Sequence, residues 1–105
     1  MSDQIQSGLG IDDFIGDKRD QIIRLARKHG ASNVRVFGSV ARGEATADSD
    51  LDLLIRQDWS RLSSWGGMDL VIELEDLLGC KVDVATEDEL RPRIKARILR
   101  EALPL

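Results

Sequence analysis

Tyrosine is absent from this 105-residue chain, histidine and cysteine occur once each, proline twice, and aromatic residues make up only 4%. A single cysteine, Cys80, excludes an intrachain disulfide and a cysteine-based metal cluster. Its place before Lys81-Val82 predicts a small buried side chain rather than a nucleophile. The single histidine, His29, ends a helical stripe, which predicts a core or helix C-terminal position rather than a catalytic one. No apolar run reaches the roughly 20 residues a membrane-spanning helix needs. The start, Met1-Ser2-Asp3-Gln4, lacks the basic residues and hydrophobic stretch of a secretory signal, so a cytoplasmic location is expected. Positive charge is also in short supply, with 15 Lys and Arg against 19 Asp and Glu and a net charge of −4. That balance argues against indiscriminate nucleic-acid binding, which leans on excess Lys and Arg.

What remains is 42% hydrophobic and 32% charged, in the range of one small globular domain with a modest core and no room for a second one. Residues 1–10 are polar, carry Gly8 and Gly10, and read as a flexible N-terminal extension; residues 11–105 read as the domain. A helical pattern runs from Ile11 through Ile15, Ile22, Leu25 and Ala26 to His29, with Asp17 as a candidate cap and Gly30 as its stop. Asn33–Phe37, Leu51–Ile55 and Lys81–Ala85 read as strands. Ser64–Leu78 carries Trp65, Met68, Val71, Ile72, Leu74, Leu77 and Leu78 at helical spacing, with Gly79 after it. Thr86 and Glu89 have the spacing of a capping box. Pro92 opens a last helix with Ile94, Ile98 and Ala102 as its apolar stripe. The order helix, strand, strand, helix, strand, helix predicts a small α/β domain in which helices cover one face of a mixed sheet.

Alternation along a strand places Asp50 and Asp52 on one face and Leu51, Leu53 and Ile55 on the other. The same rule puts Val82 and Val84 toward the core and Asp83 away from it, beside the first pair if the strands are neighbours. Three carboxylates side by side repel one another and suit bound divalent cations, two of which are the usual arrangement for attack at phosphorus. An isolated Asp-x-Asp is more often a solvated strand entrance than a site. Here, however, a strand ends directly in Gly38-Ser39, a turn whose backbone N–H groups and hydroxyl can approach phosphate oxygens. Asp48 falls outside the pattern and reads as a surface residue. Lys81 shares the Asp83 face, as a carboxylate partner or nucleotide contact. Arg91, Arg93, Lys95, Arg97 and Arg100 read as a solvated helix face, and Trp59 and Trp65 as packing residues.

Phe37-Gly38-Ser39-Val40-Ala41-Arg42-Gly43 followed by Ser49-Asp50-Leu51-Asp52-Leu53 resembles the motif of the DNA polymerase beta-like nucleotidyltransferase superfamily. The shortness of the chain and the ending Arg91-Pro92-Arg93-Ile94 through Arg100-Glu101-Ala102-Leu103 resemble its minimal nucleotidyltransferase (MNT) group. The resemblance implies that Asp50, Asp52 and Asp83 are catalytic and hold two Mg2+ ions, that Gly38 and Ser39 hold the terminal phosphates of ATP, and that Arg42 is a further phosphate contact. It also implies a HEPN-domain toxin as partner, silenced when AMP is transferred to one of its tyrosines; an acceptor tyrosine could not lie in this chain. Two alternatives stay open: an antitoxin that neutralises by binding alone, and transfer to a small molecule of the aminoglycoside type.

Overall fold

The computed structural model describes residues 8–105, so that Met1–Ser7 of the expected N-terminal extension lie outside the described residues. Leu9 pairs with Ala45 through two backbone hydrogen bonds of 2.8 and 3.1 Å. The predicted first helix is two. Gly16, with φ of +55°, breaks it into α1 (Ile11–Ile15) and α2 (Arg19–Lys28). The residue at the start of α2 is Lys18, with no side-chain cap, so Asp17 does not serve as one. Gly30, at φ of +80°, follows α2 as expected.

Among the described residues, four strands, β1 (Ala31–Phe37), β2 (Leu51–Gln57), β3 (Val82–Thr86) and β4 (Leu103–Pro104), form one sheet in the order β3-β2-β1-β4. β1 is antiparallel to β2, with an irregularity between Ser32 and Arg35 where Asn33 adopts φ of +51°. β2 is parallel to β3. Parallel neighbours need a crossover, and α4 (Met68–Leu78) supplies it. α4 starts later than the predicted Ser64 because Gly66 and Gly67 both take positive φ, which helix geometry excludes. Pro92 opens α5 (Pro92–Glu101) as expected, and the unpredicted two-residue β4 (Leu103–Pro104) then pairs with β1.

The core lies between the sheet and α2 and α4: Val36, Leu51, Leu53, Ile55 and Val82 pack with Ile22, Ala26, Leu70 and Leu74. The alternation predicted for β2 holds at Leu51, Leu53 and Ile55. Leu54 belongs to the opposite face, and it is also fully buried. It lies outside the main core cluster, as does the buried Ile98 of α5. Ile98 and Phe37 line one hollow, and Phe37 pairs with Asp52, so α5 lies over the face opposite α2 and α4. Only Ile98 of its predicted stripe is buried, while Ile94 is exposed. No helix among the described residues is long and apolar enough to cross a membrane.

Candidate active site

β1 passes at Phe37 straight into the short helix α3 (Gly38–Arg42), and Phe37 is the register partner of Asp52 on β2. Asp52 is thereby set against the Gly38-Ser39 turn. Gly38 holds φ of +77°, and a β-carbon there would collide with Asp52 Oδ2 and lie 3.1 Å from its Cγ. The positive φ favours glycine, and a β-carbon would also push the Asp52 carboxylate aside. At the other end of α3, Gly43 takes the left-handed conformation and its N–H caps the helix.

On the other side of β2, Asp83 is the register partner of Asp52 in the parallel ladder. Asp50 lies two residues earlier, on the same side by alternation. Asp52 is half-buried, whereas Asp50 and Asp83 are exposed. Burial, and then the charges of Asp83 and Asp50, push the Asp52 carboxyl up to about 6. The trio predicted from the sequence is thus brought together in register and in charge, as an open set. Among the described residues, no three His, Cys, Asp or Glu side chains are gathered tightly enough to enclose a metal ion. The openness follows from position: Asp50 precedes the strand and Asp83 lies on the outermost one. Oxygen donors of this kind, with one carboxyl disfavoured as an anion by its neighbours, suit a hard divalent cation.

Glu101, at the end of α5, did not stand out in the sequence. Its Oε2 accepts the Gly38 N–H at 2.7 Å, and its Oε1 accepts from Arg42 at 3.0 Å. Arg42 also donates to Glu44 at 2.9 Å. Two groups expected to meet phosphate, the Gly38 amide and Arg42, therefore meet a carboxylate instead. Burial pushes Glu101 up, but the Gly38 N–H and Arg42 outweigh it and hold the acid below its ordinary value. A signal was available: Glu101 stands three residues after Ile98, on the inward side of an amphipathic helix where a carboxylate needs a partner.

Other predicted residues lie elsewhere. Asp48 and Lys81 are exposed. Cys80 is half-buried rather than buried, and burial pushes its thiol up, away from the nucleophilic form. Thr86 donates to the Glu89 carboxylate at 2.7 Å and caps no backbone N–H, so the expected capping box is not formed. Trp65 is 76% exposed and does not pack in the core, because the Gly66-Gly67 turn holds it outside α4. Trp59 is exposed too, and its indole N–H donates to Asp88 at 3.0 Å. Lys95 is half-buried; Arg91, Arg93, Arg97 and Arg100 are exposed, as a solvated face requires. His29 joins α2 to α4, with Nδ1 3.3 Å from Asp69 and Nε2 against Glu73. This bridge is structural in placement, on the side of the sheet that α2 and α4 cover.

The sequence profile of the family described as Nucleotidyltransferase domain matches residues 19–105. The chain is 38% identical over 80 residues to the protein adenylyltransferase MntA of Thermococcus cleftensis, covering 75% of this chain and 79% of that protein. It is also 38% identical over 89 residues to MJ0435 of Methanocaldococcus jannaschii, a candidate protein adenylyltransferase, covering 85% of this chain and 95% of that one. A solved candidate minimal nucleotidyltransferase superposes with a TM-score of 0.75 at 49% identity, over 84% of this chain and 89% of the other. A toxin-antitoxin complex solved with AMP-PNP shares the fold alone, with a TM-score of 0.69 at 19% identity over 82% of this chain and 70% of its own. With the Gly38-Ser39 turn held against Asp52 and Asp83 at its side, these matches place the chain in the nucleotidyltransferase domain family, as a minimal nucleotidyltransferase domain of the polymerase beta-like superfamily.

Proposed function

We propose that this chain transfers AMP from ATP to a tyrosine hydroxyl of a partner HEPN toxin and thereby acts as its antitoxin in the cytoplasm. The reading rests above all on the close approach of Gly38 to Asp52, which sets the Gly38-Ser39 turn against the carboxylates. It is supported by the likeness to the adenylyltransferase MntA and by the shared fold with toxin-antitoxin proteins.

Asp50, Asp52 and Asp83 would hold Mg2+, two ions by the superfamily resemblance, and these would neutralise charge at the phosphates and on the attacking oxygen. The Ser39 hydroxyl and the Gly38 N–H donate to oxygens of the terminal phosphates, and Arg42 adds a positive charge beside them. This fixes the triphosphate so that the α-phosphorus faces the open side of the trio. The acceptor oxygen attacks that phosphorus, the bond to the bridging oxygen breaks, and pyrophosphate leaves with the electron pair. The hydroxyl proton passes to a carboxylate, for which Asp83, exposed and beside Asp52, is the accessible choice. Most of the acceleration comes from positioning and charge neutralisation.

The exposed apolar side chains Trp65, Met68 and Ile72 favour a second reading, an antitoxin that neutralises its partner by contact alone. One measurement separates the two. The purified chain is incubated with Mg-ATP and a HEPN partner, and the intact mass of the partner is recorded. Adducts of AMP mass that vanish with Asp50→Ala and Asp52→Ala are expected. An unmodified partner that is still fully inhibited by those variants leaves only the binding reading.

A further inference from the structure

Two of the groups proposed to meet phosphate, the Gly38 N–H and the Arg42 guanidinium, are held by carboxylates. Glu101 reaches from the last turn of α5 to the Gly38 N–H at 2.7 Å and to Arg42 at 3.0 Å, while Glu44 takes a second Arg42 nitrogen at 2.9 Å. A carboxylate between an amide N–H and a guanidinium has the donors and the charge balance of a phosphate oxygen in the same seat. The carboxylate comes from the junction between α5 and β4. After Glu101 the backbone continues into β4, where Leu103 and Pro104 pair with Val36 and Arg35, and the Leu105 N–H donates to Val34 at 3.1 Å.

We propose that Glu101 is a displaceable internal stand-in for a nucleotide phosphate, a gate that incoming Mg-ATP must push off Gly38 and Arg42 before the terminal phosphates can seat. The inference rests on the nucleotidyl-transfer reading and adds a regulatory element to it. Leaving Glu101 in place beside Asp52 would set a further negative charge against the triphosphate, and Arg42 would stay neutralised by two glutamates. Moving it aside frees one N–H and one arm of the guanidinium together. Rotation of a glutamate side chain at a helix end suffices, with no rearrangement of the sheet.

The test is Glu101→Gln, which keeps an acceptor for Gly38 and removes the charge. Affinity for Mg-ATP is measured by titration calorimetry in the wild type and the variant at low and high salt. At low ionic strength, tightening of roughly three- to tenfold is expected, shrinking as salt screens the competing charge. Equal or weaker affinity in Glu101→Gln overturns the gate and makes Glu101 a brace for the turn. Glu101→Ala separates the roles further, because a gate predicts tighter nucleotide binding even where the melting temperature falls. The Gly38 amide resonance supplies a second readout: it is expected to move when Mg-ATP is added to the wild type and to begin displaced in Glu101→Gln. An identical nucleotide-free Gly38 resonance in both proteins overturns the contact. Binding of Mg-ATP by neither protein sinks the nucleotidyl-transfer reading and the gate with it, whereas equal binding by both sinks the gate alone.

Discussion

Replacing Asp52 by Asn is expected to stabilise the metal-free protein while abolishing transfer. The Asp52 carboxyl rises from an ordinary 3.8 to about 6, first through burial and then through the charges of Asp83 and Asp50. Its folded-state value lies above its unfolded value, so the folded protein holds the proton more tightly. Below the unfolded value both states are protonated and the group carries no penalty. As pH rises through the folded value the penalty becomes complete, and near neutrality it is fully present. At about 1.4 kcal/mol per pH unit the gap corresponds to about 3 kcal/mol, which solvent screening of a half-exposed carboxyl reduces to roughly 1–2 kcal/mol. For a domain of this size that gain raises Tm by roughly 4–12 °C. The assay is urea unfolding followed by circular dichroism, with chelator present, at about pH 7.5 and again near pH 4, where the two proteins should converge. A variant no more stable than the wild type at the higher pH, or a stability gap indifferent to pH, refutes the electrostatic account of the site.

Gly38→Ala places a β-carbon against the Asp52 carboxylate and strains a φ of +77°, so a loss of about 1–3 kcal/mol in chemical denaturation is expected, together with loss of nucleotide binding. Arg35 and Glu87 form an ion pair with side chains only 11% and 17% exposed. Glu87→Gln leaves Arg35 without its charge partner and should cost roughly 2–4 kcal/mol in the same assay. The bridge between α2 and α4 gives an acid response. Burial pushes Asp69 up, but the Ser63 hydroxyl and His29 outweigh it, and hydrogen bonds from Lys28 and His29 hold Glu73 low, so both carboxyls lie below their ordinary values. Their stabilisation is full above the ordinary carboxylate range and is lost as pH falls through the depressed values. His29→Leu should flatten that acid limb in unfolding curves compared across pH.

Patterning made the three longer strands and the carboxylate face legible, because a strand's period of two leaves few choices once Leu51, Leu53 and Ile55 are assigned to the core. Boundaries set by single glycines were less legible. Gly16 sits within a helical period, yet its φ of +55° splits the helix, and the positive φ of Gly66 and Gly67 removes four residues, Ser64 to Gly67, from the predicted crossover helix. β4 has only two residues, too short for any period. Glu101 escaped for a different reason. Its role depends on a turn 63 residues away in the chain, and neither helix periodicity nor strand alternation reports on that separation. Trp65 misled because composition favours burial of tryptophan, whereas its backbone neighbours keep it at the surface.

The parallel pairing of β2 and β3 requires a crossover, α4 makes it on the Leu51, Leu53 and Ile55 face, opposite Asp52, and its Met68 and Ile72, with Trp65 just before it, are exposed. The exposed apolar side chains and the carboxylates thus stand on opposite sides of the sheet. A protein seated on that apolar wall reaches the carboxylates only by wrapping round an edge of the sheet, and one that docks a hydroxyl directly over Asp52 leaves the wall uncovered for a second contact.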